Sequence, residues 1–448
     1  MRGGVSLVSL ARASAPLLSV PASTSPHVLL SAPRRACVAQ VSRDLGRRRA
    51  AATVGLRASC PGQCVRGFST KKVVEKKAPS FAFAFDIDGV LLHVAKPIPG
   101  ASDALRYLHH HNIPFILLTN GGGKLETERV KDLSEKLGVP LTTDNFVQSH
   151  TPFRQLVDDG PESLRDKTVL VTGADAEKCR AIAQAYGFRN VVTPADILHA
   201  HPKVFPFDPL LDSVHASSRA GYPSNSNPAS GMLKIDAMFV FNDPRDWALD
   251  IQIITDLLLS QGGHLGTYSP RNNDASLPNC GWQQDNQPAL YFSNADLLWS
   301  TGYALPRLGQ GAFQAAVAGV WRRITDGHEL RRRVIGKPYG ETYRFAERVL
   351  AAHRHELLRA ISHHEPDVLR SVYMVGDNPE SDIAGANDFV SEAGTEWCSV
   401  LVGTGVWNPA ARGGEGVLKG RFKPRAVVRD VREAVAWALE REGFAPGE

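Results

Sequence analysis

The sequence predicts an α/β protein with a parallel sheet, into which a second α/β domain is inserted. Apolar strand-like runs alternate with helical segments along most of the 448-residue chain, which is the pattern of strand–helix–strand units. The run 81–85, FAFAF, is apolar at every position, as expected for a strand covered on both faces. The alternation has its own course within residues 149–292 and returns to the first style from residue 334. This order predicts that the first domain is interrupted by the second one.

The first 70 residues differ in composition from the rest of the chain. They contain ten Arg, ten Ser, no Lys and a single acidic residue, Asp44, which is typical of an organellar transit peptide. The sequence RGF before Ser69 is similar to a mitochondrial processing site. We therefore predict a mitochondrial transit peptide over residues 1–68 and a location in the matrix. A basic arm that binds nucleic acid or membrane, and a chloroplast address, are the alternatives.

Charge and hydropathy exclude two classes of partner. The whole chain has 51 basic and 46 acidic residues and a net charge of +5; without the ten Arg and one Asp of the leader, 41 and 45 remain and the charge is −4. The remaining chain is therefore not expected to bind nucleic acid. No apolar run reaches the roughly 18 residues of a membrane span. The six cysteines form no CxxC pair, so neither a zinc site nor a disulfide framework is predicted.

Two acidic residues, Asp86 and Asp88, follow the first predicted strand directly. Because side chains alternate along a strand, residues two apart project to the same side, here just beyond the carboxyl end. Ligands bind at that edge in open α/β sheets. Two aspartates that cap a helix or form a turn are the simpler alternative for this pair.

The next predicted strand, IPFILL, ends in Thr119 and Asn120 and is followed by three glycines, Gly121 to Gly123. A helix is predicted between the two strands, near residues 100–111. The Thr119 hydroxyl and the backbone N–H groups of Asn120 and Gly121 are suited to hold an anion, because glycine lets a ligand approach the backbone closely. The three glycines could also form a plain turn.

Two further motifs lie beyond the inserted domain. Lys337 lies in GKP, and Asp377 and Asp382 lie in GDNPESDI after the apolar run VYMV. Together, the four motifs in this order predict a site for phosphoryl transfer, in which negative charge must be met by cations and hydrogen-bond donors. Asp86 is the expected nucleophile, Asp88 the expected general acid and base, and Lys337 faces the phosphoryl oxygens.

Mg²⁺ is the predicted cofactor of this site. Its expected ligands are the carboxylates of Asp86 and Asp377 and the backbone carbonyl of Asp88, since Mg²⁺ prefers hard oxygen donors. Asp382 is expected to orient Lys337 or a metal-bound water. Helix caps and surface ion pairs are the alternative explanation for these residues.

On these motifs the chain resembles the haloacid dehalogenase-like (HAD) hydrolase superfamily over about residues 80–435. FDIDGV, LLTN, GKP and GDNPESDI occur in the family's order, and Asp88 is the residue by which its phosphatase branch differs from the dehalogenases. The resemblance implies a Rossmann-like parallel-sheet core with an inserted α/β cap of the C2 type, the layout of class IIA. The expected domains are a core of residues 69–148 and 293–448 and a cap of residues 149–292.

A narrower resemblance rests on LLTNGGG, GDNPESDIAGAN and the leader. These segments are similar to the family named after the cat eye syndrome critical region protein 5, whose members are mostly mitochondrial and largely without an assigned substrate. Class IIA enzymes often have Asn-Ser where this chain has Gly121 and Gly122, so backbone N–H groups are expected to grip the phosphate. Caps of this type often mediate dimerisation, which makes a homodimer through the cap a possible assembly.

Substrate contacts are suggested by VFNDPRDW, which ends a strand of the inserted domain. Asn242, Asp243 and Arg245 could point at a substrate headgroup, or they could form a turn and a helix N-cap. The sequence thus predicts a Mg²⁺-dependent phosphomonoesterase that acts on a small phosphorylated metabolite. A catalytically idle scaffold and a phosphotransferase to an acceptor other than water are the alternatives.

Overall fold

The computed structural model describes residues 79–206, 232–299, 301–303, 305–359, 368–407 and 418–444. The predicted transit peptide lies outside the described residues. The described chain is an α/β protein with two parallel sheets, which confirms the predicted fold class. Among the helices of the described part, none has the length and apolar character to cross a membrane.

The secondary structure alternates between strands and helices along the described chain. The strands are β1 (Phe81–Phe85), β2 (Leu92–His93), β3 (Lys96–Pro97), β4 (Phe115–Leu118), β5 (Phe146–Val147), β6 (Thr168–Thr172), β7 (Asn190–Val192), β8 (Ala237–Val240), β9 (Ala289–Phe292), β10 (Leu298–Trp299), β11 (Arg307–Leu308), β12 (Arg333–Val334), β13 (Ser371–Gly376), β14 (Glu396–Val402) and β15 (Ala426–Val428). The helices are α1 (Ala101–His110), α2 (Glu126–Leu137), α3 (Ala176–Tyr186), α4 (Pro194–Ala200), α5 (Trp247–Leu259), α6 (Gln310–Ile324), α7 (Gly340–Arg359), α8 (Ala384–Asp388) and α9 (Val431–Arg441).

The first sheet, which we call the core sheet, has six parallel strands in the order β15-β14-β13-β1-β4-β5. In β1 the three phenylalanines pack on one side with α1, α2 and α9. The two alanines, Ala82 and Ala84, pack on the other side with α7. This division follows from the period-two alternation of side chains in a strand. The strand is therefore covered by helices on both faces, and its carboxyl end is the part left for chemistry.

The second sheet has five parallel strands in the order β12-β9-β8-β6-β7. Its two faces carry separate apolar clusters, one with α4, α5 and α6 and the other with α3. Phe313, Val317 and Trp321 on α6 lie in the first of these clusters. We predicted that the inserted domain ends at residue 292, but the second sheet and its helices continue to Val334. The apolar positions of α6, spaced four apart, pack against the second sheet rather than the first.

The chain leaves the core sheet after β5 and returns to it only after β12. Val334, the last residue of β12, lies three residues before Lys337. The carboxyl-terminal end of the inserted domain is thus connected to Lys337 by a very short segment.

A buried carboxyl group in the second domain makes its stability depend on pH. Asp250 on α5 is 4 % exposed, and its Oδ1 accepts a hydrogen bond from Thr172 Oγ1 at 2.8 Å. Burial raises the pKa of Asp250 to about 8, against the lowering effect of that hydrogen bond. An unfolded aspartate has a pKa of about 3.9. The folded state therefore holds this proton more tightly, and the free energy of unfolding falls as pH rises from about 4 to about 8.

We expect Asp250→Asn to gain stability relative to the wild type across that range, because an amide has no proton to lose. Urea unfolding of both proteins at about pH 5 and about pH 8 measures the difference. Asp158→Asn is the matched control, since Asp158 is exposed, and it should give the same difference at both values. If the carboxyl group of Asp250 had an ordinary pKa, Asp250→Asn would also give the same stability difference at both pH values.

Candidate active site

The polar residues predicted from the sequence lie around one cavity at the carboxyl edge of the core sheet. Asp86 follows β1, Thr119 follows β4 and Asp377 follows β13, and these three strands are neighbours in the sheet. The cavity has a volume of about 520 Å³, which is within the usual range of small-ligand sites. All the predicted site residues line it: Asp86, Asp88, Thr119, Asn120, Gly121, Asn242, Asp243, Arg245, Lys337, Asp377 and Asp382.

Lys337 is the buried centre of the site, with 1 % of its surface exposed. Its Nζ donates to Asp86 Oδ1 at 2.6 Å, to Asp382 Oδ1 at 2.6 Å and to the Leu118 carbonyl at 2.9 Å. Burial alone would lower the pKa of Lys337, but the two carboxylates raise it above its usual value. The ammonium group is therefore charged, and each of its three protons has an acceptor.

Asp382 holds this lysine in place. One of its oxygens accepts from Lys337, and the other accepts from the backbone N–H of Asn378 at 3.0 Å. The side chain is 1 % exposed, so almost none of it is accessible to solvent although it borders the cavity. This geometry agrees with an orienting position for Asp382 next to Lys337.

The donor set of the cavity fits a divalent cation. Asp86, Asp377 and Asp382 each place a carboxylate oxygen within 4.8 Å of the others. Burial, followed by the charge of Asp382, raises the pKa of Asp377 to about 7, and burial raises that of Asp86 in spite of Lys337. Burial is the main cause of both shifts and the neighbouring carboxylates add to it, so a bound cation would favour the ionised forms of these groups. Since Asp382 is already occupied, Asp86 and Asp377 are the carboxylates left to bind a metal.

Asp88 has a different environment from these three carboxylates. Its side chain is exposed to the cavity, and its carboxylate does not belong to the cluster that could hold a metal. Partial removal from water by the surrounding protein raises the pKa of Asp88 above its usual value. The positive charges of Arg129 and Lys337 offset part of this increase. The next residue, Gly89, has φ +90°, and a methyl group there would lie 2.4 Å from Asp377 Oδ2. Only glycine lets the chain turn this close to Asp377.

The segment after β4 makes a tight turn beside Asp88. The backbone N–H of Gly121 donates to Thr119 Oγ1 at 3.0 Å. A methyl group added to Gly121 would lie 3.3 Å from Thr119 Oγ1 and 3.8 Å from Asp88 Oδ2. The hydroxyl, the turn and the second acidic residue are therefore close neighbours on one wall of the cavity.

The side chain of Asn120 hydrogen-bonds the backbone of Lys337, which the sequence did not indicate. Its Oδ1 accepts from the Lys337 N–H at 2.7 Å, and its Nδ2 donates to the Lys337 carbonyl at 2.9 Å and to Asp296 Oδ2 at 3.0 Å. Asn120 therefore fixes the backbone of Lys337 on both sides. Its amide group is fully used in this way, which leaves the backbone as its only means of binding a phosphate.

Asp296 is a cavity residue that sequence reasoning missed. Burial raises the pKa of Asp296 to about 7, and Lys337 and the hydrogen bond from Asn120 oppose the shift. Asn294, in the same segment, donates through Nδ2 to the Asn120 carbonyl at 3.2 Å. The signal was present in the sequence, because SNAD follows an apolar run as the other motifs do. Two more cavity residues without a sequence signal, Lys124 and Arg129, are basic.

The three predicted substrate contacts of the second domain have different environments. Asn242 Oδ1 accepts from the Ala174 N–H at 2.7 Å, and its Nδ2 would lie 2.2 Å from a methyl group added to Gly123. Asn242 therefore packs between Ala174 of the second domain and Gly123 in the turn after β4. Asp243 is half-buried, and burial raises its pKa. Arg245 is exposed to the cavity and has the most freedom to meet a ligand.

A buried hydrogen-bond network supports the glycine turn from below. The Gly123 N–H donates to His150 Nε2 at 3.1 Å, so the ring proton lies on Nδ1, which is 2.7 Å from Tyr186 Oη. Tyr186 donates to Glu126 Oε1 at 2.5 Å, and Thr151 Oγ1 donates to the same oxygen at 2.8 Å. Burial lowers the pKa of His150 to about 4, which keeps the ring neutral. Because Tyr186 lies on α3, the network connects the turn to the second domain.

Comparisons of the sequence with protein families agree with this architecture. A model described as haloacid dehalogenase-like hydrolase matches residues 83–189, and one described as HAD-hydrolase-like matches residues 334–434. The chain is 38 % identical over 383 residues to a mitochondrial hydrolase of Saccharomyces cerevisiae, covering 83 % of this chain and 99 % of that protein. It is 36 % identical over 377 residues to a fusion of cardiolipin synthase (CMP-forming) with a mitochondrial hydrolase in Schizosaccharomyces pombe. That match covers 84 % of this chain and 56 % of the fusion protein.

Solved structures are similar at lower identity. A glycerol phosphate phosphatase of Mycobacterium tuberculosis in complex with magnesium is 19 % identical with a TM-score of 0.45, over 79 % of this chain and 75 % of that one. A p-nitrophenyl phosphatase of Archaeoglobus fulgidus is 15 % identical with a TM-score of 0.48, over 80 % of this chain and 98 % of that one.

We expect Tyr186→Phe to lower the free energy of unfolding by about 1–3 kcal/mol, because it leaves buried polar groups of His150 and Glu126 with one partner fewer. Chemical denaturation measures the change. Tyr268→Phe is the matched control, since Tyr268 is 60 % exposed, and it should leave stability unchanged. Equal stability of Tyr186→Phe and the wild type would contradict the importance of the network.

Proposed function

Since this chain belongs to the haloacid dehalogenase-like hydrolase family, we propose that it hydrolyses phosphomonoesters with Mg²⁺ as its cofactor. The observation that carries the proposal is the buried ion pair between Asp86 and Lys337 on the floor of the cavity. Lys337 contacts only one oxygen of Asp86, Oδ1, so Oδ2 is the oxygen available for attack. The pair therefore offers a nucleophile next to a fixed positive charge, which is what phosphoryl transfer needs.

The reaction has two displacements at phosphorus. In the first, Asp86 Oδ2 forms a bond to phosphorus while the bond from phosphorus to the leaving oxygen breaks, and the product is an aspartyl phosphate. In the second, a water oxygen attacks the same phosphorus and the bond to Asp86 breaks. Inorganic phosphate leaves, and the Asp86 carboxylate is regenerated.

Asp88 moves the proton in both displacements. Protonated Asp88 gives its proton to the leaving oxygen in the first displacement, and the resulting carboxylate takes a proton from the attacking water in the second. Its raised pKa favours the protonated form that the first displacement requires. Its position next to the turn at Gly121 puts it on the same wall as the groups that would hold the phosphate.

The negative charge of the phosphoryl group is met by fixed groups. Lys337 supplies one positive charge, and the Thr119 hydroxyl and the backbone N–H group of Asn120 supply hydrogen bonds, while the Gly121 N–H holds the Thr119 oxygen in place. Mg²⁺, held by Asp86, Asp377 and the backbone carbonyl of Asp88, would supply further positive charge when bound. Asp382 keeps Lys337 in position throughout.

The substrate class is a small phosphorylated metabolite. Its phosphate lies on the floor of the cavity, and its leaving group extends towards the second domain, where Arg245 and Asp243 line the wall. Asn242 shapes this wall through its contacts with Ala174 and Gly123. The cover given by the second domain keeps bulk water from the phosphoryl group during transfer.

The mitochondrial matrix is the proposed location. It is supported by the Arg- and Ser-rich leader of residues 1–68 and by the names of two relatives, both of which contain the words mitochondrial hydrolase. Membership of the narrower family named after the cat eye syndrome critical region protein 5, and a homodimer through the cap, remain predictions.

The chain starting at Ser69 should release inorganic phosphate from phosphorylated metabolites with Mg²⁺ and not with EDTA. We expect Asp86→Asn to abolish turnover and Asp88→Asn to reduce kcat by about 10²-fold or more. Release of inorganic phosphate across a panel of sugar, glycerol, nucleotide and headgroup phosphates is the measurement. Asp103→Asn, an exposed acidic residue on α1, should retain full activity.

Two further results would decide between this activity and its alternatives. A folded protein that binds Mg²⁺, shown by a higher melting temperature, but neither turns over a substrate nor forms a beryllofluoride adduct at Asp86 would be a scaffold. Faster loss of substrate when alcohols are added, with phosphate transferred to the alcohol, would indicate a phosphotransferase.

We expect Asp382→Asn to lower kcat by about 10- to 100-fold, because Lys337 loses one of its two anionic partners. Steady-state kinetics on the best substrate of the panel measures this effect. Asp388→Asn is the control, since Asp388 lies in the same segment but pairs with Arg421 at the surface. An unchanged kcat would show that Asp86 and the Leu118 carbonyl hold the lysine by themselves.

A further inference from the structure

Apolar side chains that are exposed to solvent gather at the mouth of the cavity. Val94, Leu298, Trp299 and Val406 line the cavity, and they are 63 %, 41 %, 44 % and 40 % exposed. We call these four residues the apolar rim. Soluble proteins seldom expose clustered apolar side chains unless the cluster binds something. The rim and the proposed catalytic floor line the same cavity, so a ligand on the floor that is long enough would reach the rim.

Two hairpins supply three of the four rim residues, and Val406 lies after β14. Val94 lies in the turn between β2 and β3, and Leu298 and Trp299 form β10, which pairs with β11. A methyl group added to Gly302, in the β10–β11 connection, would lie 3.9 Å from Val94 Cγ2. The hairpins therefore meet across the cavity mouth and form one surface.

The second hairpin extends this surface outwards. Leu308 is paired directly with Leu298, which puts the two side chains on the same face of the hairpin, and Leu308 is 59 % exposed. Among the described residues of the same hairpin, Leu297, Tyr303 and Leu305 are 53–63 % exposed. In the described part of this hairpin, six large apolar side chains are thus open to solvent, although burial in either domain would have been favourable.

The backbone at Val94 is a separate observation. Val94 has φ +61°, which is a left-handed conformation that β-branched residues rarely adopt. Asn or Gly would suit this turn better. Local backbone preference therefore does not explain a valine here, whereas an apolar contact on the ligand side would.

The cavity is chemically divided between floor and mouth. The floor holds Lys337 and the acidic groups, and Lys124 and Arg129 lie nearby in the lining. Much of the polar lining above it is already hydrogen-bonded within the protein, as Asn120, Asn242 and Asn294 are. A ligand that matches this division has an anionic phosphate at one end and an apolar body at the other.

We propose that the substrate of this site is a phosphomonoester whose leaving group carries an alkyl or acyl chain, which lies against the apolar rim. This inference rests on the proposed function, of which it specifies the substrate class. A soluble amphiphile and a lipid phosphate in a membrane share this chemistry. In both, the phosphate reaches the floor while the chain covers Val94, Leu298 and Trp299.

The test uses alkylphosphonates, which keep the phosphate-like head and cannot be hydrolysed, so that binding is measured without turnover. Calorimetric titration with ethyl-, butyl-, hexyl- and octylphosphonate, below their micellar concentrations and with Mg²⁺ present, gives Kd for each chain length. We expect Kd to fall about two- to fourfold with each methylene that the rim covers. Binding should also show a negative heat-capacity change.

Variants of the rim separate this effect from general hydrophobicity. Leu298→Ser and Val94→Ser should each flatten the dependence of Kd on chain length, and their melting temperatures verify that they are folded. Val390→Ser is the matched control, since Val390 is 83 % exposed and does not line the cavity. It should keep the wild-type dependence.

The outcomes distinguish this inference from the proposed function. A Kd that is independent of chain length overturns the inference, and it does so even if phosphomonoesters are hydrolysed. A Kd that falls with chain length supports it, even if no member of the metabolite panel is turned over. If Leu298→Ser and Val94→Ser leave the dependence of Kd on chain length unchanged, the alkyl chain binds elsewhere and the inference is overturned.

A second arm identifies the source of the ligand. Sedimentation with phosphatidylcholine vesicles that contain phosphatidate, and not with pure phosphatidylcholine vesicles, would support a lipid phosphate taken from a membrane. Chain-length dependence in solution without sedimentation on either vesicle would support a soluble amphiphile.

Discussion

The buried positive charge of Lys337 is the constraint on which the site depends. An ammonium group removed from water is costly unless it is paired and hydrogen-bonded. Its three acceptors come from the segment after β1, the last residue of β4 and the segment after β13, and its backbone is held by Asn120. These elements are distant in the sequence, so the charge is stabilised only when the core sheet is complete and the chain has returned from the second domain.

Much of this arrangement could be predicted because it is local. The run FAFAF indicates a strand buried on both sides, and the structure divides its phenylalanines and alanines between two helical layers. Polar residues placed directly after such strands lie at the carboxyl edge by the geometry of a parallel sheet alone. For that reason the residues chosen from the four motifs line a single cavity, as do the three chosen from VFNDPRDW.

The remaining features depend on contacts between distant residues, which no local pattern encodes. Asn120 and Asp296 are 176 residues apart in the sequence, and Asn120 and Lys337 are 217 apart. The network of His150, Tyr186 and Glu126 depends in the same way on how α3 packs near the glycine turn. An amphipathic helix such as α6 shows that one face is buried, but not against which sheet, so the sequence alone does not indicate that the second sheet continues past residue 292 to β12.

The short return from the second sheet has a mechanical consequence. Only Ile335 and Gly336 separate the end of β12 from Lys337, and a side chain at Gly336 would collide with the Ser293 carbonyl, since a methyl group there would lie 2.5 Å from it. The connection therefore leaves little backbone between the second sheet and the lysine to absorb a change in their relative position. A shift of the second sheet would therefore strain the backbone of Lys337, because its ammonium group and its N–H are held by residues at the edge of the core sheet. The second domain, which covers the cavity, and the positive charge on the cavity floor are in this way joined through the same few backbone atoms.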